Sequence, residues 1–373
     1  MNIPKKKKKA RVIAFYLPQF NPIPENDKWW GKGFTEWTVV AKAKPLFKGH
    51  EQPNIPGELG FYDLRIPEVR EAQANLAREA GIEGFCYWHY WFGGKKRLLE
   101  RPFNEVLESG KPNFPFCLGW ANHSWYQKLW DANGKGDKLL IEQQYLGIDD
   151  YTNHFYEALL PAFKDKRYIQ VDGKPLFVIY SLRNKVEIKL IIKTWRDLAI
   201  QNGLKGIFFV AVKGKETKQE ILDLGFDAMY QLNSYLNVHI NQGVFKRGLL
   251  KLKIKFFKGP RRYSFKDMTD NMYNDSNYEE EIIPILVPRW DHTPRSGNSG
   301  IVITGSKPEL FAKQVRKALK FIQNKEDEHK LLFLVSWNEW GEGNYIEPDL
   351  KNGNSYLVAL RNELVPIQAN KND

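Results

Sequence analysis

Eight short apolar runs, mostly separated by segments of helical periodicity, constrain this chain more than any other feature. They lie at 11–17 (RVIAFYL), 84–88 (GFCYW), 116–120 (FCLGW), 175–180 (PLFVIY), 207–212 (IFFVAV), 227–232 (DAMYQL), 282–287 (IIPILV) and 331–335 (LLFLV). Each is far shorter than the ~20 residues a membrane helix needs and suits a strand buried on both faces. Between them, 66–80 has Pro67 for its first turn, Gly81 for its stop, and Val69, Ala72, Leu76 and Ala80 on one face. Further helical stretches are 103–109, 151–163, 186–201 (with Gly203 as its stop), 218–224 and 308–323, and a last one at 356–364 closes the chain. This alternation predicts an α/β fold of the (β/α)8, or TIM-barrel, kind, with long strand-end loops and an irregular insertion at about 233–281. The rival is a doubly wound open sheet. Its dinucleotide-binding form needs a glycine-rich turn after the first strand, and Tyr16-Leu17-Pro18-Gln19-Phe20 stands there instead. With 373 residues, no internal repeat and no evident linker, the expectation is one domain over 11–365, flanked by a basic tail at 1–10 and a second tail at 366–373.

Charge and cysteine content narrow the setting. The formal net charge is +12, and the lysines at 5–9 supply much of the excess. Such a run reads as a solvated tail, and no nucleic-acid recognition module accompanies it. The first ten residues hold no apolar stretch suited to a signal peptide, so a cytoplasmic location is expected. The insertion carries Lys246-Arg247, then Leu249 to Lys258 with alternating lysines, then Arg261-Arg262. It reads either as a solvated surface element or as a peripheral contact with an anionic membrane face. Cys86 and Cys117 sit inside apolar runs and are expected to be reduced core thiols. The histidines show no ligand spacing, so neither a metal nor another cofactor is expected.

Barrel enzymes work at the C-terminal ends of their strands. There the sequence concentrates tryptophan: Trp29, Trp30 and Trp37 after the first strand, Trp88 and Trp91 after the second, Trp120, Trp125 and Trp130 after the third, Trp290 after the seventh, Trp337 and Trp340 after the eighth. Such rings suit the C–H faces of a sugar; the alternative is that they plug the barrel top and pack its loops. The eighth run leads into Ser336-Trp337-Asn338-Glu339-Trp340-Gly341-Glu342-Gly343, with two carboxylates three residues apart. Two carboxylates are what glycosidic-bond chemistry commonly uses, although Glu-x-x-Glu alone also describes a surface loop. Candidate substrate contacts are Tyr16, Trp88, His89, Trp120, Asn122, Trp125, Asp291, Arg295, Trp337, Asn338 and Trp340. His89 equally suits a structural role, and Asp291 and Arg295 an internal ion pair.

The segment Asn338-Glu339-Trp340-Gly341-Glu342-Gly343-Asn344-Tyr345-Ile346-Glu347-Pro348 resembles the catalytic stretch of glycoside hydrolase family 99, the endo-α-mannosidase family. It is more similar still to the WbsX-type proteins of bacterial surface-polysaccharide loci, often labelled glycosyltransferases. That likeness extends through Ala14–Phe20, Gly33-Phe34-Thr35-Glu36-Trp37, Gly84–Phe92 and Pro288–Arg295. The resemblance implies a (β/α)8 barrel, no metal, and a retaining mechanism on an oligosaccharide or lipid-linked glycan in lipopolysaccharide or capsule assembly. It implies that Glu339 deprotonates the sugar's own 2-hydroxyl, which attacks the anomeric carbon, and that Glu342 is acid and then base. Gly341 stands where the hydrolases carry His. Ala121-Asn122-His123-Ser124-Trp125 departs from the WbsX-type Ala-Asn-Glu-Asn-Trp. A glycosyltransferase using an activated sugar donor is an alternative, but the chain has neither a glycine-rich phosphate loop nor an Asp-x-Asp motif. The rival from another class is a non-catalytic glycan-binding barrel.

Overall fold

The computed structural model describes residues 8–127, 138–231, 259–273 and 279–365. Its centre is a parallel sheet of eight strands: β1 (Arg11–Tyr16), β2 (Gly84–His89), β3 (Phe116–Trp120), β4 (Lys174–Ile179), β5 (Phe208–Val212), β6 (Ala228–Tyr230), β7 (Ile285–Leu286) and β8 (Leu331–Leu334). Their order is β7-β8-β1-β2-β3-β4-β5-β6, so each neighbours its sequence successor and the last strand returns to the first. Closure comes from a parallel bridge between Met229 and Ile282, just ahead of β7. There Met229 N–H donates to Glu281 O (2.9 Å) and Ile283 N–H to Met229 O (2.8 Å). This is a (β/α)8 barrel with surrounding helices, as the alternation of runs predicts.

The strands are apolar on both faces because both are buried. Inside the barrel Phe15 stacks on Trp88 (ring centroids 4.7 Å, 9° between planes) and packs on Phe333 (5.1 Å) and Tyr230 (5.4 Å). Cys86 and Cys117, register partners on β2 and β3, are buried and unbridged. Outside, Tyr16, Phe85 and Tyr87 pack on one another, and the Tyr16 hydroxyl donates to Gln73 Oε1 (2.6 Å) of the helix Pro67–Glu79.

Several expected details differ. The long loop after β1 contains two short helices, Pro24–Trp30 and Glu36–Lys42. The end of the insertion is regular, with a strand at Arg261–Ser264 that pairs with Ile301–Thr304, and a helix at Phe265–Asn271. The basic stretch from Lys246 to Lys258, and Trp130, lie outside the described residues. Within the expected basic tail, Ala10 is buried, Lys9 N–H donates to Leu364 O (3.2 Å) and Lys8 Nζ to Gly81 O (2.9 Å). Among the described residues no helix is long and apolar enough to cross a membrane.

Candidate active site

The site is built where β8 ends. Trp337 N–H donates to Phe15 O (2.8 Å). The Asn338 side chain then grips the exit of β1, accepting from Leu17 N–H (2.8 Å) and donating to Leu17 O (3.1 Å). Asn338–Glu339 pairs antiparallel with Asn344–Tyr345, and the turn between them is one 3₁₀ helix, Trp340–Glu342. Ser336 Oγ ties the base of this hairpin, donating to Asn344 O (2.8 Å) and accepting from Glu339 N–H (2.9 Å). The Trp340 indole stacks on Tyr345 (3.6 Å, 12°) and donates to Glu347 Oε2 (2.7 Å). Gly343, at φ +53°, closes the turn; a Cβ there would fall 2.7 Å from Asp291 Cβ, so glycine is required. Glu339 and Glu342 thus project from a turn braced on every side.

Their surroundings differ. Glu342 meets the Arg295 guanidinium in a short ion pair, with His292 Nε2 at 3.4 Å. Burial alone would raise its pKa, but the charges of Arg295 and His292 outweigh that and hold Glu342 below the usual carboxylate range. The balance at Glu339 is the opposite. Burial, and then the charge of Glu342, push its pKa well above that range, against the opposing pull of Arg295 and a hydrogen bond from Trp88. Arg295 reaches further with Nη2, which donates to Glu36 Oε1 (2.7 Å). Tyr90 and Tyr180 complete the surroundings: burial raises both phenols, and the charges of Glu339 and Glu342 raise them further. His123 lies against Tyr180, ring centroids 5.2 Å apart.

Of the residues singled out from sequence, the structure therefore gathers Glu339, Glu342, Arg295 and Trp88. Tyr16 faces outward onto the helix Pro67–Glu79. His89 also faces outward, its Nε2 2.7 Å from that of His154. Trp120 packs on His154 and Trp195 and donates to Trp91 O (3.0 Å). Asn122 ties the loops after β3 and β4, donating to Ser181 O (2.8 Å) and accepting from Ser181 N–H (2.7 Å). Trp125 packs with Trp29, Tyr90 and Phe92 in a separate apolar cluster. Trp337, Asn338 and Trp340 are fully buried and hold the hairpin. Asp291 accepts from Gln52 Nε2 (2.7 Å) and Thr293 N–H (3.0 Å), lies 2.7 Å from His50 Nε2, and so anchors the loop carrying those two residues. Among the described tryptophans of the mouth, the indole N–H groups of Trp37, Trp91, Trp120 and Trp340 donate within the fold, the kind of partner a buried indole usually finds. Sequence reasoning missed Glu36, Tyr90, Tyr180 and His292 as site residues. Glu36, Tyr90 and His292 stand inside the quoted motifs, which was the available signal; Tyr180 carried none. Among the described residues no cluster of His, Cys, Asp and Glu is placed to hold a metal ion.

A family model described as "Glycosyltransferase WbsX" matches residues 12–360. The chain belongs to the WbsX family. An uncharacterized protein called WxcX, from two strains of Xanthomonas campestris pv. campestris, is 35% identical over 356 residues. That match covers 95% of this chain and 50% of WxcX, so the chain spans about half the length of these curated relatives. Among solved structures, a "glycoside hydrolase-like protein" superposes with a TM-score of 0.59 at 16% identity, covering 98% of this chain and 97% of its own. The GH99 endo-alpha-mannosidase from Bacteroides thetaiotaomicron does so with a TM-score of 0.56 at 14% identity, covering 94% and 95%. At these identities the likeness shows the shared barrel.

Proposed function

We propose that the chain cleaves or transfers a glycosidic bond, with Glu339 as the acid and Glu342 as the base. The observation that carries this reading is the opposition of their surroundings. One carboxyl group is buried beside Trp88 with its pKa raised; the other is held ionised by Arg295 and His292. Environments that push two carboxyl groups apart divide them into proton donor and acceptor. Glycosidic chemistry needs that division, since one group protonates the leaving oxygen and the other serves as base or nucleophile.

In the first step the sugar's own 2-hydroxyl passes its proton to Glu342 and bonds to the anomeric carbon. The anomeric C–O bond breaks, and the Glu339 proton goes to the leaving oxygen. In the second step water or a sugar hydroxyl attacks the anomeric carbon and gives its proton to Glu339. The three-membered ring opens, and Glu342 returns its proton to the 2-oxygen. The configuration is retained. The participation of the 2-hydroxyl is taken from the resemblance to family 99, but the two roles are reversed relative to it, because the Arg295 guanidinium sits on Glu342. Hydrolysis and transfer share the first step and differ in the second acceptor. Membership of the WbsX family supports an oligosaccharide or lipid-linked glycan of surface-polysaccharide assembly as substrate.

The test uses candidate glycans and the matching aryl glycosides. Either Glu→Gln change lowers turnover of a natural linkage by about 10²–10⁴-fold. On an aryl glycoside, whose leaving group needs no proton, Glu339→Gln recovers activity and Glu342→Gln does not. Selective recovery of Glu342→Gln restores the roles implied by the resemblance. Full activity in both variants refutes the site. NMR of the first-formed anomer checks retention, and the product identifies the acceptor.

A further inference from the structure

Glu36 is wholly buried, yet it comes from the loop after β1 and belongs to neither carboxylate of the turn. A buried carboxylate is costly unless it is paired and hydrogen-bonded. One oxygen makes both of the contacts seen. Glu36 Oε1 accepts from Arg295 Nη2 (2.7 Å) and from the backbone N–H of Gly341 (2.8 Å). Gly341 is the middle residue of the turn Trp340–Glu342. A Cβ on Gly341 would lie 2.1 Å from Glu36 Oε1 and 3.0 Å from Arg295 Nε. No side chain at 341 is compatible with this arrangement, and Gly341 is glycine although it is not at positive φ. Packing of Glu36 and Arg295 is therefore the reason for the residue.

We propose that Glu36 is a positioning residue: it holds the backbone of the catalytic turn with the same oxygen that orients the Arg295 guanidinium, and so fixes Arg295 on Glu342. Arg295 gives one arm, Nη2, to Glu36 and the other, Nη1, to Glu342. The fork is rigid and planar, so setting one arm sets the other. The groups facing this cluster are Glu342 and Glu339 from the turn, His292 and Arg295 from the loop after β7, and Tyr90 from the loop after β2. Burial raises the pKa of Glu36, and Arg295 opposes the rise. Its negative charge also bears on Glu339, whose proton affinity it increases. Glu36 thus acts on both carboxylates without reaching the substrate. This inference rests on the reading of Glu342 as the ionised partner.

The test needs no substrate. Full-length protein carrying ¹³C-labelled glutamate is titrated by NMR, with the Glu342 carboxyl signal assigned by its loss in Glu342→Gln. Glu36→Gln and Glu36→Ala both remove the negative charge, but only glutamine keeps an oxygen that can accept from Arg295 and Gly341. The midpoint of Glu342 is therefore expected to be about 1 pH unit higher in Glu36→Ala than in Glu36→Gln, as befits an opposite charge that has lost its orientation. Gly341→Ala keeps the Glu36 charge but must push its carboxylate aside, and is expected to raise the Glu342 midpoint above that of the wild type. Equal midpoints in the two Glu36 variants overturn the positioning role and leave charge alone. If Glu36→Ala does not fold, the comparison of Gly341→Ala with the wild type, both of which carry the Glu36 charge, decides instead: an unchanged midpoint overturns the positioning role. A shifted Glu342 midpoint, combined with glycan turnover indifferent to Glu342→Gln, would instead overturn the proposed function and leave this inference standing.

Discussion

At the scale of single residues, the site depends on a carboxylate that does no chemistry in the proposed reaction. Glu347 accepts from Trp340 Nε1 (2.7 Å), Tyr62 Oη (2.9 Å) and Gln73 Nε2 (2.7 Å), and so anchors the indole that stands between Glu339 and Glu342 in the chain. Burial pushes its pKa up to about 7 in spite of these donors. The folded chain therefore holds the Glu347 proton more tightly than the unfolded chain, in which the group titrates near 4.5. With a raised folded pKa, its contribution is fully present below the unfolded pKa and is lost as pH rises toward 7; above that the loss is constant. At 1.36 kcal/mol per pH unit the loss is on the order of 3 kcal/mol. Urea denaturation at pH 4.5 and pH 7.5 is expected to give a smaller drop in stability for Glu347→Gln than for the wild type, by roughly that amount. An unchanged drop would mean that Glu347 is ionised in the fold throughout. The motif contains Glu347, but spacing did not suggest this role, because its donors Tyr62 and Gln73 come from 274 or more positions away.

At the scale of elements, the strands were legible and the loops were not, for one physical reason. A strand buried on both faces has to be apolar throughout, so each of the eight runs declares itself locally. Most ends moved by two residues or fewer, and the sixth and seventh proved shorter than their runs, as Ala228–Tyr230 and Ile285–Leu286, the seventh starting three residues later. A loop residue's role depends on partners that the local sequence does not contain. Asn338 and Trp340 read as sugar contacts because they flank the carboxylates; both are instead spent on the scaffold, Asn338 on Leu17 and Trp340 on Glu347. Arg295 and Asp291 read alike from sequence, yet Arg295 touches Glu342 while Asp291 holds His50 and Gln52. The Asn338 clamp joins the exits of β1 and β8, beside the Trp337 N–H bond to Phe15 O. Asn338→Ala strands a buried N–H and a buried C=O on Leu17, at about 1–3 kcal/mol for each unsatisfied group. Thermal denaturation is expected to show this loss. Residual turnover at a temperature where the variant is still folded is expected to fall too, since the hairpin bearing Glu339 hangs from this clamp.

At the scale of the whole molecule, the barrel is closed unevenly. β1 pairs with β8 and with β2 through four register positions each, and β2 with β3 through five. Between β6 and β7 the closure is one bridge, Met229 with Ile282, reinforced by Lys325 Nζ donating to Ile282 O (2.8 Å) and by the ion pair of Lys218 with Glu281 (2.7 Å). The carboxylate turn belongs to the strong side, on β8 with its partners on β1 and the loop that follows. The loop after β7 brings Arg295 and His292 from the strand next to the weak seam, while the β7–β8 pairing itself covers two positions. Local opening follows the number of buried hydrogen bonds and apolar contacts that must break together. Amides of β6 and of the segment before β7 are therefore expected to exchange with solvent deuterium faster than those of β1, β2 and β3, through openings smaller than global unfolding. Lys325→Met removes the bonds that Lys325 Nζ gives to Glu280 O and Ile282 O, and is expected to speed exchange at Met229 and Ile283 while leaving β1 to β3 unchanged. Uniform exchange across all eight strands would show that the barrel opens as one unit. In that case, loosening the seam could not move Arg295 relative to Glu342 without unfolding the whole site.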